Sequence, residues 1–590
     1  ILYSLSNLGS FAALLSYPFL FEPALDLDWQ VFIWRAGYFF LLLLHFAVFF
    51  LVKANKSVPE KTAPVFSDIQ AGRETWRWVL LGAGPAIMFL SVTNIITSEV
   101  APIPLLWIIP LCIYLASFVL NFRQKPWCPA WIREKIFIAV GLSALLFFFV
   151  QRGVFPFTVN LGLLLFSLFV ICMFCQNELY LTRPKDQRKL TLFYFLIASG
   201  SFAGGIAVNW IIPLVATFMI EYLFGLLTVS LAVAAAEKNK EIGAASLRFV
   251  LYSLIVLSLW PLIFKGYNVF GVAVIIWIFV KVFSRLKLRP RAFAIGITCI
   301  FLVSPFVERL YRGADCIYTL RNYYGILNVY ANNKLASLYH GTTLHGMQYF
   351  DNDPKKENEP LGYFHRITPI GELMSSDKFD FRRIGIVGLG CGTLSAYGRP
   401  GQEIDFFEID RDVYYIASEL FTYLGHSGAK LNFVFGDARV SIAGIKDRKY
   451  DLLVIDAFSG DSIPVHLLTT EAIREYQKHL SGSGIIMFHI SNRYLNLAPV
   501  MLNNAFSVNA QLCSKANNSS RKDHAEASQW IAYTWDKAVF QKLVSQLNWD
   551  KPNPKIKSKR PWTDKYSGIS GILKLKNIVS GIKYFTPFYF

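Results

Sequence analysis

Residues 384–394 read IGIVGLGCGTL: a β-branched run, glycines at every second position, then small residues placed to open a helix. Glycine lets a backbone turn tightly and approach a ligand closely. Around this loop the pattern alternates. Ile384–Val387, Asp405–Ile409, Leu431–Phe435, Tyr450–Ile455 and Gly484–Ile490 read as strands, with helical patterns between them, as over Asp412–Tyr423 and Thr470–Leu480. Strands separated by helices predict a parallel sheet with right-handed crossovers. Ligands of such sheets bind at the carboxyl ends of the strands, so the informative residues should stand just after each strand.

They do. Gly388-Leu-Gly390-Cys-Gly392 follows the first strand. The dinucleotide fingerprint is GxGxxG, with a third glycine for close helix packing. Here the spacing is GxGxG and Thr393 occupies the position of that last glycine, which favours a nucleoside sulfonium over NAD. The second strand ends in Phe406-Phe407-Glu408-Ile409-Asp410. An acidic residue about 20 positions past the first glycine grips a ribose diol; Glu408 takes that place, with Asp410 as cap of the next helix. Gly436-Asp437 follows the third strand, and Asp437 can accept from an adenine amino group. Asp456 to Pro464 follows the fourth and carries two carboxylates, Asp456 and Asp461. Each acid alone reads first as a helix cap or turn; four such positions at successive strand ends point to a site.

Those residues suit one chemistry. A sulfonium carbon is already electrophilic and needs only a neutral amine, correctly aimed. Free alkyl amines are protonated at neutral pH, like Lys with a pKa of about 10.4. Asp456 can bind the ammonium, accept its proton and fix the line of attack, while Asp461 holds a distal ammonium. No metal or covalent intermediate is required.

The rest of the chain is of another kind. Its 590 residues are 54% hydrophobic and include 51 Phe, with a mean hydropathy of +0.39, too apolar for an ordinary soluble protein. Up to about residue 310 apolar stretches alternate with short polar joints, and eight of the nine histidines lie beyond it. Eleven stretches approach membrane-crossing length: 1–21, 30–52, 78–97, 103–121, 136–151, 156–180, 191–212, 214–236, 249–264, 268–283 and 292–307. Trp78, Trp107 and Tyr180 stand near their ends, where amphipathic rings favour the interface. Ser6–Ser10 and Gly200–Gly205 are small-residue clusters suited to close helix contact in lipid. The chain opens inside an apolar run without Met, so an N-terminal part is expected to be missing.

The formal charge is +18, from 58 Lys+Arg against 40 Asp+Glu. It gathers in the joints Arg123–Lys135, Arg183–Lys189 and Arg285–Arg291, whereas Glu22–Asp28 is acidic. No basic stripe with interleaved aromatics marks a nucleic-acid module. The basic tail Lys551–Lys583 reads as a solvated or headgroup-facing surface. Eight Cys in so long a chain suggest no disulfide framework; Cys172 and Cys175 have CxxC spacing but lie in an apolar helix. The histidines lack zinc-site spacing.

From about Tyr323 onward the chain resembles spermidine synthases, aminopropyltransferases of the class I methyltransferase fold. The whole chain resembles bacterial spermidine-synthase-like proteins fused to a membrane domain. The resemblance rests on Asn322-Tyr-Tyr-Gly-Ile-Leu, His340–Gln348, Asp456–Leu468, His489-Ile-Ser-Asn-Arg-Tyr-Leu495 and Trp562-Thr-Asp564, and in the membrane half on LYSLSNLGS and ELYLTRP. It implies a multi-pass helical domain over 1–310, a small β-rich segment over 317–375, and a Rossmann-like catalytic domain over 376–590. It implies that Gln348 contacts the nucleoside, that Glu408 and Asp437 hold ribose and adenine, that Gly388, Gly390 and Gly392 cradle the donor, and that Asp456 activates the amine beside Asp461. Tyr363 and His365 fall where the family has a Tyr-His pair near the substrate. The chain departs from the family twice: Cys391 replaces the loop Asp that grips the amine of decarboxylated S-adenosylmethionine, and Lys565 replaces the final Asp of Trp-Thr-Asp-Asp.

The leading expectation is therefore transfer of an aminopropyl group from decarboxylated S-adenosylmethionine to an amine such as putrescine, by an enzyme of the inner membrane. One alternative is an S-adenosylmethionine-dependent methyltransferase acting on a membrane-associated substrate. Another is a transporter or sensor with a non-catalytic nucleoside domain, in which Arg35, His45 and Glu221 would mark a path. Partners are the bilayer and a small amine; self-association stays open. Eleven crossings give no consistent alternation of basic joints, and the domain is expected in the cytoplasm because adenosyl donors are made there.

Overall fold

The computed structural model describes residues 2–54, 72–99, 104–237 apart from 152–154 and 156, residue 281, 289–457 apart from 314, 342 and 352, 464–552 apart from 493 and 521, and 560–574. The expected segment 249–264, all of 268–283 but residue 281, and Asp461 lie outside them.

The apolar stretches form helices because Leu and Ala lose little freedom there and every backbone group is satisfied within the segment. The longer ones are α1 (Leu2–Ser16), α2 (Leu27–Ala54), α3 (Arg73–Glu99), α4 (Pro104–Asn121), α5 (Ile136–Gln151), α6 (Phe157–Thr182), α7 (Leu190–Ile206), α8 (Glu221–Ala234) and α9 (Pro290–Arg312). Among the described residues, five helical stretches, Leu27–Lys53, Arg73–Ser98, Thr158–Thr182, Leu190–Val215 and Pro290–Leu310, are long and apolar enough to cross a membrane. The stretch expected at 214–236 is shorter than read. Helix continues through Pro213 to Val215, the chain extends at Ala216, and α8 starts only at Glu221.

Helices α3 and α7 pack backbone to backbone, as the cluster at 200–205 predicts. A Cβ on Gly200 would lie 2.1 Å from the Val79 carbonyl oxygen, and one on Gly82 2.5 Å from that of Ile197. The cluster at Ser6–Ser10 behaves otherwise: among the described residues nothing lies within 4 Å of a Cβ on Gly9. Among the described residues helix α2 buries no face of its apolar stretch, and Arg35 and His45 sit exposed on it.

The second half begins with four antiparallel strands, β1 (Cys316–Asn322), β2 (Gly325–Ala331), β3 (Leu335–His340) and β4 (Thr343–Tyr349). Among the described residues no further strand occurs between 350 and 375, where the chain forms turns and short helices ending in α10 (Pro369–Ser375). The main sheet has strands β5 (Arg383–Val387), β6 (Glu403–Glu408), β7 (Lys430–Phe435), β8 (Tyr450–Ile455), β9 (Leu480–His489), β10 (Gln511–Asn517) and β11 (Ser528–Thr534), in the order β10-β11-β9-β8-β5-β6-β7. The first five in chain order run parallel, and β11 returns antiparallel to β9. Helices α11 (Arg411–Glu419), α12 (Ala438–Gly444), α13 (Thr470–Lys478), α14 (Ala498–Ser507) and α15 (Lys537–Gln546) complete this half. Both faces of the sheet are buried. Along β8, Leu452 and Val454 join one core cluster, Leu453 and Ile455 the other. This is a Rossmann-like, doubly wound sheet, and its order reverses between β5 and β8, the switch point where such folds bind ligands.

The small sheet is clasped to the main one by polar side chains. Asn322 Nδ2 donates to Asp410 and Asp412 at 2.7 and 2.8 Å. Gln348 Nε2 donates to Thr422 Oγ1 at 2.7 Å and to the Glu357 carbonyl at 3.0 Å, while its Oε1 accepts from the Thr422 N–H at 2.9 Å.

Candidate active site

The glycine loop lies at the switch point. Gly388, Gly390 and Gly392 have φ of 96, 55 and 84°, which only glycine adopts without strain. A Cβ on Gly388 would sit 2.3 Å from the Asp456 carbonyl oxygen, and one on Gly390 2.7 Å from that of His345. After the loop comes a 3₁₀ turn, Thr393–Tyr397, and not the α-helix that the small residues suggest.

Glu408 ends β6 beneath this loop. Its Oε2 accepts from the Leu389 N–H at 2.9 Å and its Oε1 from the Asp410 N–H at 2.9 Å. Burial pushes its pKa above the usual carboxylate range, although those two N–H groups oppose the shift. The carboxylate thus shapes the loop, with lone pairs left over for a diol. Asp410 caps α11 as expected, accepting from the Asp412 N–H. That helix ends at Glu419, four residues short of the expected Tyr423.

Asp437 caps α12, accepting from the Val440 N–H at 3.0 Å, and its Oδ2 lies 2.8 Å from His466 Nε2. Burial pulls its pKa upward, but the Val440 N–H and His466 outweigh this and hold the carboxyl below its ordinary value. Gln348 is also engaged, with both amide donors spent on the clasp to 357 and 422.

Asp456 follows β8, and its backbone N–H donates to the Val387 carbonyl at 2.9 Å. Its Oδ1 lies 2.6 Å from His489 Nδ1, and each of the two side chains is only 6% exposed. His489 Nε2 lies 2.7 Å from Ser491 Oγ, which accepts from the Gln529 N–H at 2.8 Å. Ser491 has one proton to give, so with Asp456 ionised and the imidazole neutral it donates to Nε2, leaving Nδ1–H for the carboxylate. The ring itself is clamped, stacked on Trp530 (4.5 Å between centroids) and on Tyr363 (5.0 Å). Burial pushes the Asp456 pKa up, and His489 restrains the rise. The result is a carboxylate of better than ordinary basicity, fixed in direction.

Tyr363 is therefore part of the site. Burial and the nearby Asp456 charge keep its phenol neutral, and its hydroxyl faces the His345 carbonyl at 3.4 Å. His365 is elsewhere: its Nδ1 accepts from the Ile367 N–H at 3.2 Å, with Glu359 and Asp523 as its charged neighbours. Cys391 is fully buried, 3.1 Å from Thr393 Oγ1, and lies where a Cβ on Gly346 would come within 2.2 Å of its sulfur. Burial lifts its pKa to about 11, so it is a neutral thiol packed against the small sheet.

Three residues escaped the sequence reading. His489 and Ser491 lay inside the family-like stretch ending at Leu495, without a role. His345, beside the glycine loop, has a buried Nε2 with no hydrogen-bond partner among the described residues, and burial lowers its pKa to about 3. Asp564, from the Trp-Thr-Asp stretch, instead forms a two-bonded pair with Arg439, both at 2.7 Å.

No family model matches the chain. A polyamine aminopropyltransferase from Vibrio vulnificus (strain CMCP6) is 37% identical over 140 residues, which is 23% of this chain and 45% of that protein. The chain thus spans less than half the length of this relative. Among solved structures, a probable spermidine synthase from Corynebacterium glutamicum is similar at 14% identity and a TM-score of 0.30, covering 39% of this chain and 87% of that one. A spermidine synthase from Thermotoga maritima is similar at 12% identity and a TM-score of 0.28, covering 41% and 82%.

Proposed function

We propose that the chain is a membrane-integrated transferase that moves an aminopropyl group from decarboxylated S-adenosylmethionine to a small amine. The observation that carries this reading is Asp456: buried, at the switch point beside the glycine loop, with Oδ1 held by His489. Among the described residues Oδ2 has no partner, which leaves it for an ammonium. The relative's 37% identity supports the same chemistry.

In the reaction the ammonium gives its proton to Asp456. The freed nitrogen lone pair attacks the propyl carbon next to sulfur, the C–S bond breaks, and its electron pair stays on sulfur to give methylthioadenosine. Glu408 grips the ribose. Tyr363 and Trp530 hold His489 so that Asp456 keeps its direction, and directional control of this kind is a large part of a bimolecular transfer. The five long apolar helices support a membrane-crossing first half, with lipid as its surroundings.

Cys391 favours a second reading. As a neutral thiol it offers no counter-charge to the amine of a decarboxylated donor, so methyl transfer from S-adenosylmethionine is the competing reaction. Detergent-purified full-length protein, given each donor with putrescine, separates the two. Methylthioadenosine from the decarboxylated donor supports aminopropyl transfer; S-adenosylhomocysteine from the other shows methyl transfer. Binding without either product would make the domain a sensor.

A further inference from the structure

The two ends of the helical half differ in charge and in what they touch. At one end, Arg73 Nη2 donates to the Ala234 carbonyl at 3.2 Å. Glu178 pairs with Arg77 at 2.5 Å and Arg133 at 3.3 Å, and the Arg291 N–H donates to Glu237 at 3.2 Å. The Tyr3 ring lies 5.1 Å from that of Phe122 and 4.9 Å from that of Tyr194. This end therefore gathers the starts of α1, α3, α5, α7 and α9 and the ends of α4, α6 and α8.

The synthase-like domain sits at the other end. Arg321 on β1 pairs with Glu221 at the start of α8 at 2.8 Å and donates to the Phe218 carbonyl at 2.9 Å. Asn94, near the end of α3, donates to the same Glu221 at 3.4 Å. Arg560 pairs with Asp26, and Lys565 with Asp28, both at 2.6 Å. Apart from α2, of which these contacts place only the start, the described helices thus alternate in direction, which the apolar segments alone did not give.

Charge follows the same division. The far joints hold Arg123, Lys125, Arg133 and Lys135 between α4 and α5, Arg183, Lys185, Arg188 and Lys189 between α6 and α7, and Arg289 and Arg291 at the start of α9. The described joints on the domain side, 22–28 and 207–220, contain no basic residue. Arg309 and Arg312 end α9 at the domain's entry, and Arg312 is paired with Glu308 at 3.1 Å. Short joints rich in Lys and Arg stay in the cytoplasm, while large domains cross largely regardless of charge.

We infer that the basic joints face the anionic cytoplasmic leaflet and that the synthase-like domain stands on the opposite side of the membrane. This rests on the reading that the helical half crosses a membrane, and it reverses the expectation of a cytoplasmic domain. An adenosyl donor made inside then has to cross to reach Asp456, so activity in whole cells needs a route that activity of the purified protein does not.

The test uses the full chain in bacterial spheroplasts. Gln124→Cys, in an exposed far joint, and Ser375→Cys, exposed on the domain, are compared with the parent protein for labelling by a membrane-impermeant maleimide. Ser375→Cys should gain label in intact spheroplasts, and Gln124→Cys only after permeabilisation. Alkaline phosphatase fused after Phe590 should be active. The reverse labelling with an inactive fusion overturns the orientation alone. Recovery of the protein in the carbonate-soluble fraction overturns the membrane reading and the orientation with it.

Discussion

Asp456→Asn is the most informative single change at the candidate site, because the structure separates its chemical cost from its structural one. In the variant, His489 Nδ1–H still donates, now to the amide oxygen, and Ser491 still fixes Nε2. The ring stays clamped by Tyr363 and Trp530. The fold should therefore lose no more than about 1 kcal/mol, the net worth of one altered hydrogen bond. The base, however, is gone, and with it a factor of roughly 10²–10⁴ in turnover, or about 2.7–5.4 kcal/mol of barrier. Donor affinity should barely change, since Glu408 and the glycine loop are untouched. Methylthioadenosine release by chromatography, donor calorimetry and a thermal melt measure the three quantities. In the parent, turnover should fall as pH drops through a pKa above the ordinary carboxylate range, the direction in which burial moves Asp456. A folded Asp456→Asn protein with near-parent turnover would refute amine activation by this residue.

Glu408→Ala should weaken donor binding by about 1.5–3 kcal/mol, the range for hydrogen bonds to a charged group; calorimetry that finds the parent dissociation constant would leave Glu408 as a support for the Leu389 and Asp410 N–H groups only. His345 should make the domain acid-labile. Its folded pKa of about 3 lies below the unfolded value of about 6.5, so the unfolded chain binds the extra proton between these values and stability falls as pH drops below about 6.5. The slope is at most about 1.4 kcal/mol per pH unit, less because part of the residue reaches solvent, and His345→Phe should flatten it in melts from pH 7 to 4. Arg321→Met should cost about 3–5 kcal/mol by leaving Glu221 buried without its partner. Adding Glu221→Leu should restore most of that loss, and a double variant as unstable as the single would show that the pair is not what matters there.

How much of this was legible depends on what each residue's neighbours are. The alternation of strands and helices carried the main sheet, and the acids at strand ends were found because a parallel sheet gathers its carboxyl ends on one edge. His489 was within reach by the same logic. In the β8–β9 ladder Ile455 pairs with Phe488, so the next residues, Asp456 and His489, emerge side by side from adjacent strands. The clamp by Trp530 was not, since it depends on β11 entering antiparallel beside β9. Gln348, by contrast, spends one amide donor on Thr422, 74 residues away in sequence, and the other on the Glu357 carbonyl, and nothing local in the chain announces the first. The glycine spacing correctly located the loop but not the 3₁₀ turn at Thr393–Tyr397. Cys391 is drawn inward by the notch at Gly346, so its environment is set by a strand of the other sheet.

The acidic groups at one end of the helical half dock the domain. The acidic joint 22–28 and Glu221 meet basic groups of the domain. Asp26, Asp28 and Glu221 pair with Arg560, Lys565 and Arg321, and Glu22 accepts from the Ile569 N–H at 3.1 Å. Exposed pairs such as Lys565–Asp28 contribute little singly, but Glu221 is wholly buried and Arg321 nearly so. A buried pair of this kind adds little net stability and penalises every arrangement that breaks it. One such lock, flanked by weak pairs of the same sense, suffices to hold β1 against the start of α8. The small sheet is in turn clasped to the main sheet through Asn322 and Gln348, so the position of the helical half is passed by a chain of polar contacts to the edge of the sheet where Glu408 and Asp456 stand.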